Sequence, residues 1–169
     1  NSPGMHRYMP NNGYLETRQA VSGSLKADTG LDFIPGDIVM TCGAAAAINV
    51  TLKTILNPGE EVIILSPYFV EYSYYIDNHQ GVAVPVPTNA DFQPNLDAIE
   101  AAITNQTRGI IINSPNNPSG VIYSAKCLQS LGSLLNRKQR EHGSEIFIIS
   151  DEPYRRLIYD DLSYPQVFP

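Results

Sequence analysis

Five apolar, β-branched runs lie along the chain, most of them apolar nearly throughout: Asp37 to Thr41, Glu61 to Leu65, Gly81 to Val86, Arg108 to Asn113 and Ile146 to Ser150. A strand with one face in water alternates apolar and polar residues, whereas a strand covered on both faces does not. These runs therefore predict buried strands. Stretches of helical length lie between or before them: Gly13 to Thr29, Ala44 to Leu56, Phe69 to Asn78, Asn95 to Ile103 and Ala125 to Glu141. Asn57-Pro58-Gly59 stops the second stretch, and Asn105-Gln106-Thr107 turns into the fourth strand. Alternation of this kind predicts an α/β fold, three layers α/β/α around a mainly parallel sheet. No repeat, low-complexity tract or linker interrupts it, so residues 1–169 are expected to form one domain.

In such sheets a ligand sits beyond the carboxyl ends of the strands. Small or polar turns follow four of the predicted strands: Cys42-Gly43-Ala44-Ala45, Ser66-Pro67-Tyr68-Phe69, Ser114 to Gly120, and Asp151-Glu152-Pro153-Tyr154. Four such turns at one rim point to a binding site.

Composition narrows the partners. A content of 43% hydrophobic and 17% charged residues fits a folded protein. The formal net charge of −6, with no Lys/Arg cluster, argues against nucleic acid. No apolar run approaches the ~20 residues of a membrane span, and the first residues lack the apolar core of a secretory signal. Cys42 and Cys127 have no metal-ligand spacing around them, and two free thiols in a reducing compartment are expected. A cytoplasmic location and no metal site follow as expectations.

Each candidate residue has a structural reading beside a chemical one. The glycine and alanines from Gly43 to Ala47 leave backbone N–H groups at a helix start unobstructed, which suits a phosphate. They also suit plain helix–sheet packing. Asp151 ends an apolar strand and needs a partner, because an unpaired buried charge is costly. A cationic ring nitrogen would serve; so would a helix N-terminus, Arg155 or Arg156. Tyr154 could direct its hydroxyl to the same site or pack as an ordinary aromatic. The two prolines and the glycine from Pro115 to Gly120 make a rigid turn that could fix the Asn117 amide or be a simple β-turn. Phe69 is a cofactor platform or a core residue.

Taken together the motifs narrow these choices. Asn117-Pro118-Ser119-Gly120, followed about thirty residues later by a strand ending in Asp151-x-x-Tyr154, resembles the class I/II (fold type I) pyridoxal-phosphate-dependent aminotransferases. Asn57 to Val62, Ser66 to Tyr72, and Tyr8-Met9-Pro10-Asn11-Asn12-Gly13 match the same pattern, so the resemblance covers essentially the whole chain. It implies that backbone N–H groups of Ala44 and Ala45 hold the phosphate of pyridoxal 5'-phosphate and that Phe69 stacks on its ring. It further implies that Asn117 and Tyr154 hydrogen-bond the ring oxygen and that Asp151 pairs with the ring nitrogen. Tyr8 would reach the phosphate of a neighbouring subunit, which implies a homodimer. The implied activity is transfer of an amino group between an amino acid and a 2-oxo acid.

The resemblance also marks departures. The family's Schiff-base lysine lies downstream of the Asp-x-x-Tyr motif, and Lys26, Lys53, Lys126 and Lys138 occupy no matching position. The distal arginine that would clamp the substrate carboxylate, the small domain and an N-terminal segment have no counterpart either. The family's large-domain sheet has seven strands in the order 3-2-4-5-6-7-1, and the five runs correspond to the first five. The chain thus resembles an incomplete large domain of that fold, inactive by itself. With two sheet edges exposed it is expected to be poorly stable or to complete its sheet through another chain. Two alternatives share the fold: a carbon–sulfur lyase, though lyases often place His where Tyr154 stands, and the effector-binding domain of a transcription regulator. Glu71, Tyr72, Tyr74 and Tyr75 receive no role, and Arg155 and Arg156 are expected to face solvent.

Overall fold

The computed structural model describes residues 8–167. They form two compact units, one ending at Ala47 and one running from Ile48 to Val167.

In the first unit, helix α1 (Leu15–Thr29) ends where Gly30 takes a left-handed conformation and its N–H caps Lys26 O at 2.8 Å. Gly13 is fixed by contact as well as by its φ of +92°, since a Cβ there would lie 2.6 Å from the Met40 side chain. Arg18 donates to Gly13 O at 3.2 Å and also to Pro35 O. The strand expected at Asp37 to Thr41 is not formed. Pro35–Asp37 is a 3-10 turn, closed by the Asp37 carboxylate accepting from Ile34 N–H at 2.9 Å. The residues that follow are extended, with Ile38 buried and Val39 exposed, but no ladder partner pairs with them among the described residues. An apolar run gives an extended backbone; a strand also needs a neighbour.

Helix α2 (Gly43–Ile55) leads into the second unit. There strands β1 (Glu61–Ser66), β2 (Val82–Pro87), β3 (Thr107–Asn113) and β4 (Phe147–Asp151) form one parallel sheet in the order β2-β1-β3-β4. This is the 3-2-4-5 portion of the expected order. Helices α3 (Glu71–Asp77), α4 (Leu96–Ala102) and α5 (Ala125–His142) connect the strands.

Successive side chains of a strand point to opposite faces, and both faces are covered. Ile63, Leu65, Ile110 and Ile112 pack with Ile99 of α4 and Leu131, Leu134 and Leu135 of α5. Val62, Ile64 and Ile111 pack with Ile48 and Leu52 of α2 and with Tyr72, Tyr75 and Ile76 of α3. Complete burial of an aliphatic side chain contributes roughly 1.5–3 kcal/mol, so the two clusters make the three layers cohere. Side chains set the helix starts: Asn95 Oδ1 accepts from Ala98 N–H at 3.1 Å, and Ser124 Oγ from Cys127 N–H at 3.2 Å.

The two edges of the sheet differ. Val82 N–H donates to Glu60 O and Thr88 N–H to Ser66 O, so the even-numbered amides of β2 face β1. Positions 83, 85 and 87 face outward, and two of them are Pro85 and Pro87, which have no N–H to offer. The β4 edge has no proline, and Phe147 and Ile148 are 39% and 38% exposed. Among the described residues no helix is long and apolar enough to cross a membrane.

Candidate functional site

The site forms in the second unit at the carboxyl ends of β1, β3 and β4. Parallel register sets Asn113, the last residue of β3, beside Asp151, the last of β4. Asn113 is 4% exposed and uses both ends of its amide. Its Nδ2 donates to Asp151 O at 2.9 Å, and its Oδ1 accepts from Asn117 N–H at 2.6 Å. One buried side chain thus ties the turn after β3 to the end of β4. Within that turn Asn116 Oδ1 accepts from the N–H and hydroxyl of Ser119, at 3.1 and 2.7 Å. Gly120, at φ +74°, donates back to Asn116 O at 2.7 Å. Asn117 is therefore held through its backbone, and its side-chain amide makes no hydrogen bond among the described residues.

The Asp151 carboxylate is half-buried, and its partner is Tyr72 rather than Arg155 or Arg156. The Tyr72 hydroxyl donates to Oδ2 at 2.6 Å, and Oδ1 accepts nothing among the described residues. Burial raises the Tyr72 phenol far above its ordinary range, helped by its bond to Asp151 and by that carboxylate's charge. The phenol therefore stays protonated and is the donor to the carboxylate. Phe69, in the turn after β1, meets the Tyr72 ring edge to face, with centroids 5.6 Å apart and planes at 83°. One turn further along α3 the Tyr75 hydroxyl donates to Glu71. That bond, ahead of burial and the Glu71 charge, pushes Tyr75 up to about 12. Tyr154 follows β4 and is 38% exposed. Arg155 is partly buried rather than solvent-facing, with Glu152 3.9 Å away, which corrects the expectation for that residue.

Of the residues singled out from sequence, Phe69, Asn117, Asp151 and Tyr154 share this rim. Ala44 and Ala45 occupy the first turn of α2, after Gly43 at φ +80°, in the unit that ends at Ala47. Tyr8 belongs to that unit and is fully exposed. Two residues at the rim were not singled out. Tyr72 was legible as the residue one helical turn after Phe69, and Asn113 as the polar end of an otherwise apolar strand. Among the described residues no cluster of His, Cys, Asp or Glu could hold a metal ion. Cys42 and Cys127 are free thiols.

Comparison with known proteins matches residues 1–168 to the family model described as aminotransferase class I and II. A probable aspartate/prephenate aminotransferase of Thermus aquaticus is 36% identical over 93% of this chain and 40% of its own length. A probable aspartate aminotransferase of Methanocaldococcus jannaschii is 34% identical over 95% of this chain and 41% of its own. Among solved structures, an aminotransferase from Eubacterium rectale superposes with a TM-score of 0.95 at 40% identity, covering 99% of this chain and 42% of that one. Aspartate aminotransferase from Thermotoga maritima gives 0.89 at 32% identity, covering 97% and 42%. The chain spans about 40% of the length of the curated relatives it matches. With motifs, strand order and family model in agreement, the chain belongs to the class I and II aminotransferases.

Proposed function

We propose that this chain supplies the cofactor-holding part of a pyridoxal-phosphate-dependent aminotransferase, acting between an amino acid and a 2-oxo acid. The observation that carries this is the Asp151 carboxylate, fixed at the end of β4 with a phenol on one oxygen and no cationic side chain bonded to it. A half-buried carboxylate is costly without a counter-charge, and a protonated ring nitrogen supplies one. The residues around it fit the group. Phe69 offers an aromatic face, and the Asn117 amide and Tyr154 hydroxyl are donors without a partner among the described residues.

In this reading Asp151 holds a proton on the ring nitrogen. Phe69 covers the ring, and Asn117 and Tyr154 donate to its oxygen. Backbone N–H groups at Ala44 and Ala45 receive the phosphate, and Tyr8 reaches the phosphate of a second subunit in a homodimer. When bound, pyridoxal phosphate supplies an electron-withdrawing ring that stabilises negative charge at the substrate α-carbon. None of Lys26, Lys53, Lys126 and Lys138 lies at the rim turns; all four are on helices α1, α2 and α5. By itself the chain is therefore proposed to be a partial pyridoxal-phosphate-binding large domain, able to hold the cofactor without turning over. The free thiols accord with a cytoplasmic setting.

The test is an assay of the full-length protein with pyridoxal phosphate, an amino acid and a 2-oxo acid. Appearance of the new amino acid, abolished in Asp151→Asn, is the expected result. Release of ammonia and a 2-oxo acid without an acceptor would instead establish a lyase and overturn the reading.

A further inference from the structure

Given that Asp151 faces the ring nitrogen of bound pyridoxal phosphate, as proposed above, we infer that Tyr72 is its positioning residue. The Tyr72 hydroxyl, bonded to Oδ2 at 2.6 Å, sets the rotation of the carboxylate and leaves Oδ1 for the ring.

The main chain of Asp151 is already held. It lies in register with Asn113, and its carbonyl accepts from Asn113 Nδ2 at 2.9 Å. Neither contact fixes the side-chain torsions, which in a carboxylate turn broadly about the last bond. Among the described residues the Tyr72 hydroxyl is the one hydrogen-bond partner of that side chain. Tyr72 is itself packed in the core, at 2% exposure among Ile64, Ile76 and Ile111 on the sheet face covered by α3. Its ring also meets Phe69 edge to face at 5.6 Å. A single buried side chain therefore touches both the aromatic platform and the charged partner proposed for the cofactor. At 2% exposure it has no surface to offer substrate, so its effect passes through Asp151 and Phe69. Such outer partners orient the groups that touch a ligand, and losing one typically costs 10–100-fold in affinity at metal sites.

The experiment uses the full-length protein loaded with pyridoxal phosphate carrying nitrogen-15 in the ring. The nitrogen resonance reports protonation at the ring, and dissociation of the cofactor is measured beside it. Tyr72→Phe keeps the ring that packs in the core and removes the hydroxyl alone. It is expected to weaken cofactor binding by about tenfold and to move the resonance toward that of unprotonated pyridine. Tyr75→Phe, which removes a hydroxyl bonded to Glu71 instead, should leave both unchanged. In the Asp151→Asn background the tenfold loss from Tyr72→Phe should largely vanish, because the two side chains act as one unit.

Equal losses from Tyr72→Phe in both backgrounds would show that the hydroxyl works through packing and would overturn the inference. So would an unchanged resonance and unchanged affinity in Tyr72→Phe. A wild-type protein that takes up no pyridoxal phosphate would overturn the functional reading and this inference together. If Tyr72→Phe fails to fold, Asp151→Asn still decides: a ring resonance identical to wild type would remove the carboxylate, and Tyr72 with it, from any role at the ring.

Discussion

At the amino ends of the strands Glu60 is 8% exposed and both of its oxygens are occupied. Asn57 N–H donates to Oε2 at 2.7 Å, and the Arg108 guanidinium grips Oε1 while its Nη1 reaches Glu145 O at 3.4 Å. At the carboxyl ends Asp151 has one phenol on one oxygen and a second oxygen with no partner among the described residues. Both carboxylates belong to the same unit and border the same sheet. The first is closed by its own chain and therefore serves stability. The second is half closed and, in the reading proposed above, serves the cofactor. Open parallel sheets generally divide their ends in this way, and here the division can be seen atom by atom.

The sharpest way to break the comparison is to open the closed end. Glu60→Ala strands a partly buried guanidinium and should cost about 3 kcal/mol in thermal or denaturant unfolding, with pyridoxal phosphate affinity of the folded protein unchanged. A fall in affinity as large as the fall in stability would show that the two ends are not separate. The same pair sets an acid limit. The bond to Arg108 is the main reason that Glu60 sits at about 2 instead of 4.5. A depressed carboxylate stabilises the fold above its unfolded value and loses that contribution as pH falls from 4.5 toward 2. Arg108 keeps a quarter of its side chain exposed, so about 2 kcal/mol is expected to disappear over that range. Glu60→Gln should be correspondingly flat there, compared by denaturant titration at each pH.

The open end is tested from the other side. Asp151→Asn should weaken cofactor binding about thirtyfold, the equivalent of about 2 kcal/mol, while leaving the melting temperature of the unloaded protein nearly unchanged. A large drop in melting temperature would make Asp151 a structural residue like Glu60. Asn113 lies at the open end but is closed by its own chain, so it sharpens the contrast. Asn113→Ala leaves a main-chain donor and acceptor unsatisfied and should cost about 1 kcal/mol of stability. It should also loosen cofactor binding a few-fold by freeing Asn117.

How far the sequence spoke depends on the range of the forces involved. Helix and strand limits in the second unit lie within two residues of those expected, because two-sided apolar runs and breakers such as Asn57-Pro58-Gly59 act locally. Asp37 to Thr41 forms no strand because no neighbour pairs with it among the described residues, and its first residue belongs to a turn that the sequence also carries. The Pro35-Gly36-Asp37 turn uses the carboxylate of the first expected strand residue to close itself. Phe69, Asn117, Asp151 and Tyr154 were legible because their motifs follow strand ends. Tyr72 was marked only by its place one turn after Phe69; its bond to a residue 79 positions away is what the sequence did not show. Tyr72 and Tyr75, one turn apart on α3, look equivalent in sequence; register and packing give Tyr72 to Asp151 and Tyr75 to Glu71.

The prolines of β2 bear on how this layer can grow. With Pro85 and Pro87 occupying two of three outward positions, that margin offers almost no amide ladder to an incoming strand. Extension is therefore one-directional, along β4, whose final residue is Asp151. Whichever segment adds there, proper or foreign, lies alongside the strand that ends at Asp151, so errors of assembly fall beside the cofactor site proposed above.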